Sequence, residues 1–208
     1  MKQILIIRFA AVFFSVLLAG VCAVALRADD AAKKKISAQA HLTKARDFAA
    51  DYKMEKAADE AHKALADDPT LAEAYVIAAL PALRAGQLKD AQEQFQKALE
   101  IDPYQATAHC YLAYVLYEQG DADSAIDQWT LAIKLDPHSP HSYAGMALAQ
   151  FHLGQKEQAG KTYTKAVQYD RRFSDEKFLA SDSGPKWNAQ MLADVHQILP
   201  LVQQTTLY

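Results

Sequence analysis

The sequence predicts an all-α solenoid: four helix-turn-helix repeats in a row, with one more helix closing the end. Three observations carry that reading. Asp68-Pro69, Asp102-Pro103 and Asp136-Pro137 recur at intervals of 34 residues, and one further step lands on Asp170-Arg171. Before each lies a helical run whose small residues fall into columns: Ala57, Ala91, Ala125 and Ala159 in one, Ala64, Ala98, Ala132 and Ala166 in another. The composition agrees, since Gly and Pro number only 7 each while Ala, Leu, Gln, Lys and Glu are abundant.

The chain opens on a different kind of segment. Residues 1–8 carry Lys2 and Arg8, residues 9–26 run for 18 positions without a charge, and Arg27-Ala28-Asp29-Asp30 is polar again. A charged start, an apolar stretch and a small residue describe a secretory signal cut after Ala28, with Ala23 and Ala25 as competing sites. Eighteen apolar residues also approach the length that crosses a bilayer, so residues 9–26 read as well as a retained membrane anchor. Positive charge at the extreme N-terminus holds that end inside and sends the rest across. Both readings therefore predict an exported protein, periplasmic or otherwise in the cell envelope. Cys22 follows Val21, not the small residue of a lipid-attachment site, and reads as one more apolar residue. With residues 1–28 removed, Cys110 would be the remaining cysteine and no internal disulfide could form. Residues 29–37, including Lys33, Lys34 and Lys35, read as a short solvated linker.

Four repeats follow, at 38–71, 72–105, 106–139 and 140–173. Phe95, Trp129 and Tyr163 share a column in which the first copy has Ala61, so one bulky side chain per repeat faces small neighbours. Gly86, Gly120 and Gly154 mark the mid-repeat turn, where a helix end needs a residue tolerant of positive φ. Asp-Pro is expected to stop one helix and start the next, because Pro fits the first helical position but not the interior. Pro81 falls inside the first helix of the second copy, opposite the carbonyl of Ile77, and should kink or break it.

This pattern resembles the tetratricopeptide repeat family, with Tyr75, Leu112, Ala113, Tyr143, Met146 and Ala147 at first-helix signature positions. The first copy departs from the family, with His41, Lys44 and Tyr52 where an aromatic, Leu and Gly are preferred, as suits a terminal repeat. The resemblance implies a right-handed superhelix whose first helices line the concave side. After residue 173 the period is lost. Ser181-Asp182-Ser183-Gly184-Pro185 signals a loop, and the amphipathic run at 186–199 supplies a cap. There, Trp187, Met191, Leu192, Val195, Ile198 and Leu199 have helical spacing suited to covering the last repeat.

For function, the resemblance places Gln39, Leu42, Arg46, Glu73, Val76, Leu80, Leu83 and Arg84 on the concave wall. It adds Thr107, Cys110, Tyr114, Tyr117 and Glu118, then His141, Ala144, Leu148, Phe151 and His152. The partner-binding set expected from these is Arg46, Leu80, Arg84, Tyr114, Tyr117, Glu118, His141, Phe151 and His152, because aromatic and Arg side chains anchor interfaces best. Relatives that clamp a C-terminal carboxylate use Lys and Asn at such positions, and neither stands here. The implied partner is a protein or peptide, as for an assembly factor in pilus, cytochrome or outer-membrane biogenesis. No cofactor is expected. A net charge of −3 without a basic run excludes a nucleic-acid footprint. Cys110 has no adjacent base and no phosphate loop or nucleophile elbow is present, which argues against an enzyme. The alternative is a metal- or haem-handling accessory protein in which His141 and His152 act as ligands.

Overall fold

Each 34-residue unit folds into two helices joined by a tight turn. The computed structural model describes residues 27–181 and 187–205. Helix α1 covers 27–50. Then follow α2 (Met54–Asp67), α3 (Ala72–Arg84), α4 (Leu88–Ile101), α5 (Ala106–Glu118), α6 (Ala122–Leu135), α7 (Pro140–His152) and α8 (Lys156–Tyr169). A short 3-10 turn (Arg171–Ser174) and α9 (Glu176–Ala180) lead to α10 (Ala189–Thr205). The first helices α3, α5 and α7 all have 13 residues, and α2, α4, α6 and α8 all have 14. The chain is an all-α superhelix, as its periodicity predicts.

The columns explain the stacking. Both Ala columns are completely buried, and so are Phe95, Trp129 and Tyr163. Small residues let backbones approach while each aromatic fills the space between them, which is how close packing is reached with few large side chains. Leu65 joins the first apolar cluster to the second, and Tyr111 with Leu116 joins the second to the third. The result is one continuous spine. Trp129 needs a further concession, because a Cβ at Gly145 would sit 2.3 Å from the indole. On α8, Gly160 plays the same part for α10, whose Leu201 Cβ would lie 2.8 Å from an added methyl.

The Asp ladder works differently from the sequence expectation. Pro69, Pro103 and Pro137 sit in the turns, three residues ahead of Ala72, Ala106 and Pro140, and do not start the helices. The Asp side chains organise these turns instead. Asp68, Asp102, Asp136 and Asp170 each accept the backbone N–H two residues on, at 3.0, 3.0, 3.1 and 3.0 Å. The fourth turn keeps this bond with Arg171 in the place of Pro. At the mid-repeat turns Gly86, Gly120 and Gly154 have φ of 72°, 90° and 79°, and Tyr52 takes the same left-handed conformation at 57°.

Three expectations need correction. Residues 29–37 are not a linker: they belong to α1, although their outer part is solvated, and packing begins at the buried Ala38. A charged helical stretch with good formers needs no core to continue a helix already started. Pro81 does not break α3, which is helical from Ala72 to Arg84. It removes one donor to the Ile77 carbonyl, a loss confined to one turn, and its own carbonyl still accepts Ala85 N–H at 3.0 Å. The cap starts at Ala189, later than 186, and buries Met191, Val195, Ile198 and Val202 against α7 and α8. The apolar segment at 9–26, with its cleavage and anchor readings, lies outside the described residues. No described helix is long and apolar enough to cross a membrane.

Candidate partner-binding pocket

Side chains from the first helices converge on one cavity of about 410 Å³. Leu80, Leu83 and Arg84 come from α3, Tyr111, Tyr114 and Glu118 from α5, and His141 from α7. The convergence follows from stacking: equivalent faces of α3, α5 and α7 point to the same side of the superhelix. Tyr52, Met54, Trp187 and Asn188 complete the lining.

The closing elements are not repeats. The described parts of the connector, residues 170–181 and 187–188, pack against the first helices of the last two repeats. Phe173 and Leu179 are wholly buried, Phe173 packs edge-on against His141 at 5.0 Å, and Trp187 lies 6.0 Å from Phe173 between ring centroids. Phe178 links the connector to the turn of the first repeat: its ring meets Tyr52 at 6.4 Å and Phe173 at 6.3 Å, and Arg172 covers its face at 4.8 Å. The groove is thus bridged, and what is left open is a bounded pocket.

Of the expected binding residues, Leu80, Arg84, Tyr114, Glu118 and His141 line that pocket. Arg46, Tyr117, Phe151 and His152 do not. Arg46 forms a two-pronged ion pair with Glu73, the next repeat's inward acid. Tyr117 donates to Asp194 of the cap at 3.4 Å and packs against Trp129 and His152. Phe151 packs on the core and lies under Lys156. His152 is exposed at the end of α7. Leu42, Val76, Cys110, Ala144 and Leu148, also assigned inward, are buried in packing.

One offset recurs across repeats. Arg46 meets Glu73 and the Tyr114 hydroxyl donates to the His141 carbonyl at 2.9 Å, both over 27 residues. A side chain about one turn before the end of one first helix therefore touches the start of the next.

The pocket's electrostatics follow from burial. Desolvation pushes the Tyr111 and Tyr114 hydroxyls above their ordinary values, so both stay neutral. It pushes His141 down to about 4, so its imidazole is uncharged at neutral pH. Glu118 is raised by desolvation alone, and no partner engages its carboxylate among the described residues. Arg84 is already engaged within the fold. The Nε1 of Trp187 is buried beside the Tyr114 hydroxyl.

Tyr52, Met54, Tyr111, Trp187 and Asn188 were not on the expected list. Tyr52 carried a signal, a bulky residue at a glycine position, whereas nothing in the repeat pattern marks the connector residues as wall.

His141 and His152 stand 11 residues apart at the two ends of α7, about 16 Å along the axis at the helical rise. They cannot share a metal ion. Burial raises the Cys110 thiol to about 12, so it is no nucleophile at neutral pH.

A tetratricopeptide repeat family model matches residues 78–140 and, overlapping, 111–176. These are tetratricopeptide repeats. The match begins inside α3 and leaves the first, divergent repeat outside it. Among solved structures, PilF of Pseudomonas aeruginosa is similar with a TM-score of 0.58 at 20% identity, over 83% of this chain and 78% of that one. MamA is similar with a TM-score of 0.51 at 23% identity, over 65% and 79%. At such identities the likeness is one of tetratricopeptide fold. No curated protein matches the sequence.

Proposed function

We propose that the protein is a non-catalytic docking scaffold that holds a short segment of a protein partner in the pocket at the centre of its superhelix. The observation that carries this is the pocket itself: residues from three successive repeats converge on about 410 Å³ bounded by aromatic and aliphatic walls with a few polar groups. Repeat stacking makes such a surface without chemistry, and the buried, protonated Cys110 supports a binding role over a catalytic one. The bridge across the groove limits the ligand. A segment of a few residues fits, while a long helix laid along all four repeats would collide with the connector.

We also propose that residues 1–28 direct the protein out of the cytoplasm, as cleaved signal or retained anchor. The reading is supported by Lys2 and Arg8 flanking an uncharged run of 18 residues. The partner would then belong to the cell envelope.

The docking reading is tested by selecting binders from a phage-displayed random peptide library on the full-length protein. Ala85 is exposed at the pocket lip, so Ala85→Trp fills the cavity without touching the core. Selected peptides should bind wild type and lose at least about tenfold on Ala85→Trp at unchanged Tm, a drop of about 1.4 kcal/mol. Equal binding to both proteins would remove the pocket from the function.

A further inference from the structure

The pocket has one charge that nothing answers. Glu118 sits at the end of α5 on the pocket wall, and among the described residues no hydrogen bond or ion pair reaches its carboxylate. Other inward charges are treated differently: Arg46 is taken by Glu73, and Arg84 is engaged within the fold. Glu118 is exposed at the pocket rim, so its carboxylate is free to face an incoming cation, and the attraction strengthens as that cation leaves water.

The wall beside it suits a cation as well. Tyr111 lies 6.5 Å from Tyr114, and Tyr114 lies 6.5 Å from Trp187, which makes a continuous strip of three rings along the cavity. Aromatic faces attract a desolvated ammonium or guanidinium, Trp most strongly. His141, the other basic side chain near this strip, is held neutral by burial and does not repel one. Arg84 stands at the α3 side of the cavity, and its charge is the one feature that disfavours a cation.

Building on the docking role above, we propose that this pocket receives the basic side chain, lysine or arginine, of an extended segment of a partner protein, with its charge against the Tyr111, Tyr114 and Trp187 rings and facing Glu118. Lys and Arg reach such a site through an apolar stem that suits Leu80 and Leu83.

The two charges give the experiment opposite signs. Peptides that bind wild type and lose affinity on Ala85→Trp are resynthesised with each basic residue replaced by norleucine, and affinities are measured by calorimetry. One basic position should dominate, its replacement weakening binding at least about tenfold. Glu118→Gln should weaken the same peptide by a similar factor at unchanged Tm, and Arg84→Gln should strengthen it. Pocket-dependent peptides without a required basic residue, or with an acidic one that Arg84→Gln weakens, would overturn this inference and leave the docking role standing. Peptides indifferent to Ala85→Trp would instead overturn the docking role on which it rests.

Discussion

The first two repeats and the last two carry the same periodic pattern, yet their concave sides end up differently. In the first half, Arg46 and Glu73 pair in solvent, and Leu83 and Arg84 are half-buried on an open wall. In the second half, Tyr114 is buried, Tyr117 is tied to Asp194 of α10, and His141 lies under Phe173 of the connector. Equivalent repeat positions therefore meet different neighbours: Glu73 pairs with Arg46 where His141 packs against Phe173, and Leu83 borders the cavity where Tyr117 bonds the cap. The extent of a binding groove is decided by what lies outside the repeats, here a connector that folds back over its own solenoid.

The strongest way to break this contrast is at the densest point of the closed half. Gly145→Val puts side-chain atoms where the Trp129 indole already stands, and 2.3 Å leaves no room for even the first carbon. Overpacking of this kind should cost at least about 3 kcal/mol, read as a large fall in Tm. No such loss is expected from Ala85→Trp in the open half, so equal Tm values for the two variants would contradict the contrast.

A smaller effect tests whether the connector seals His141. Its folded pKa is about 4 against an ordinary 6.5, so the unfolded chain binds the proton more readily and stability rises with pH. The contribution is fully present above pH 6.5 and is lost as pH falls from 6.5 towards 4, on the order of 2–3 kcal/mol. Carboxylates held low, such as Glu60 at about 2 beside Lys63 and His41, add their own loss only below the ordinary value of 4.5. Tm measured between pH 6.5 and 4.5 should therefore fall in wild type and stay nearly flat in His141→Phe. A wild-type Tm that is flat over this window would mean His141 is open to water.

The smallest effect belongs to the point where the halves meet. Tyr52 adopts a left-handed φ of 57° that costs a non-glycine residue about 1 kcal/mol, and in return its ring meets Phe178. Tyr52→Gly relieves the strain and removes the contact, so net stability should move by less than about 1 kcal/mol. Hydrogen exchange of α9 should nonetheless quicken. Unchanged protection of α9 would show that the bridge holds without Tyr52.

Much of the architecture was legible because repetition amplifies weak signals. A single Asp-Pro or a single Ala column means little, but four registered copies fix helix number, length and order, and the bulky column at Phe95, Trp129 and Tyr163 proved to be the buried spine. The candidate site was legible in part. Repeat positions named Leu80, Arg84, Tyr114, Glu118 and His141, all of which line the pocket. They also named Arg46, Tyr117, Phe151 and His152, which do not: Arg46 is paired with Glu73, Tyr117 with Asp194, Phe151 packs on the core and His152 is exposed.

Local sequence alone determined the helices, their turns and the face each presents, since side-chain period and turn chemistry act over a few residues. Only the tertiary structure decided that Phe178 crosses to Tyr52, that Trp187 walls the pocket and that Glu118 is left without a partner. Those facts depend on contacts between segments more than 60 residues apart, whose meeting is set by the accumulated curvature of the stacked repeats and by no local signal.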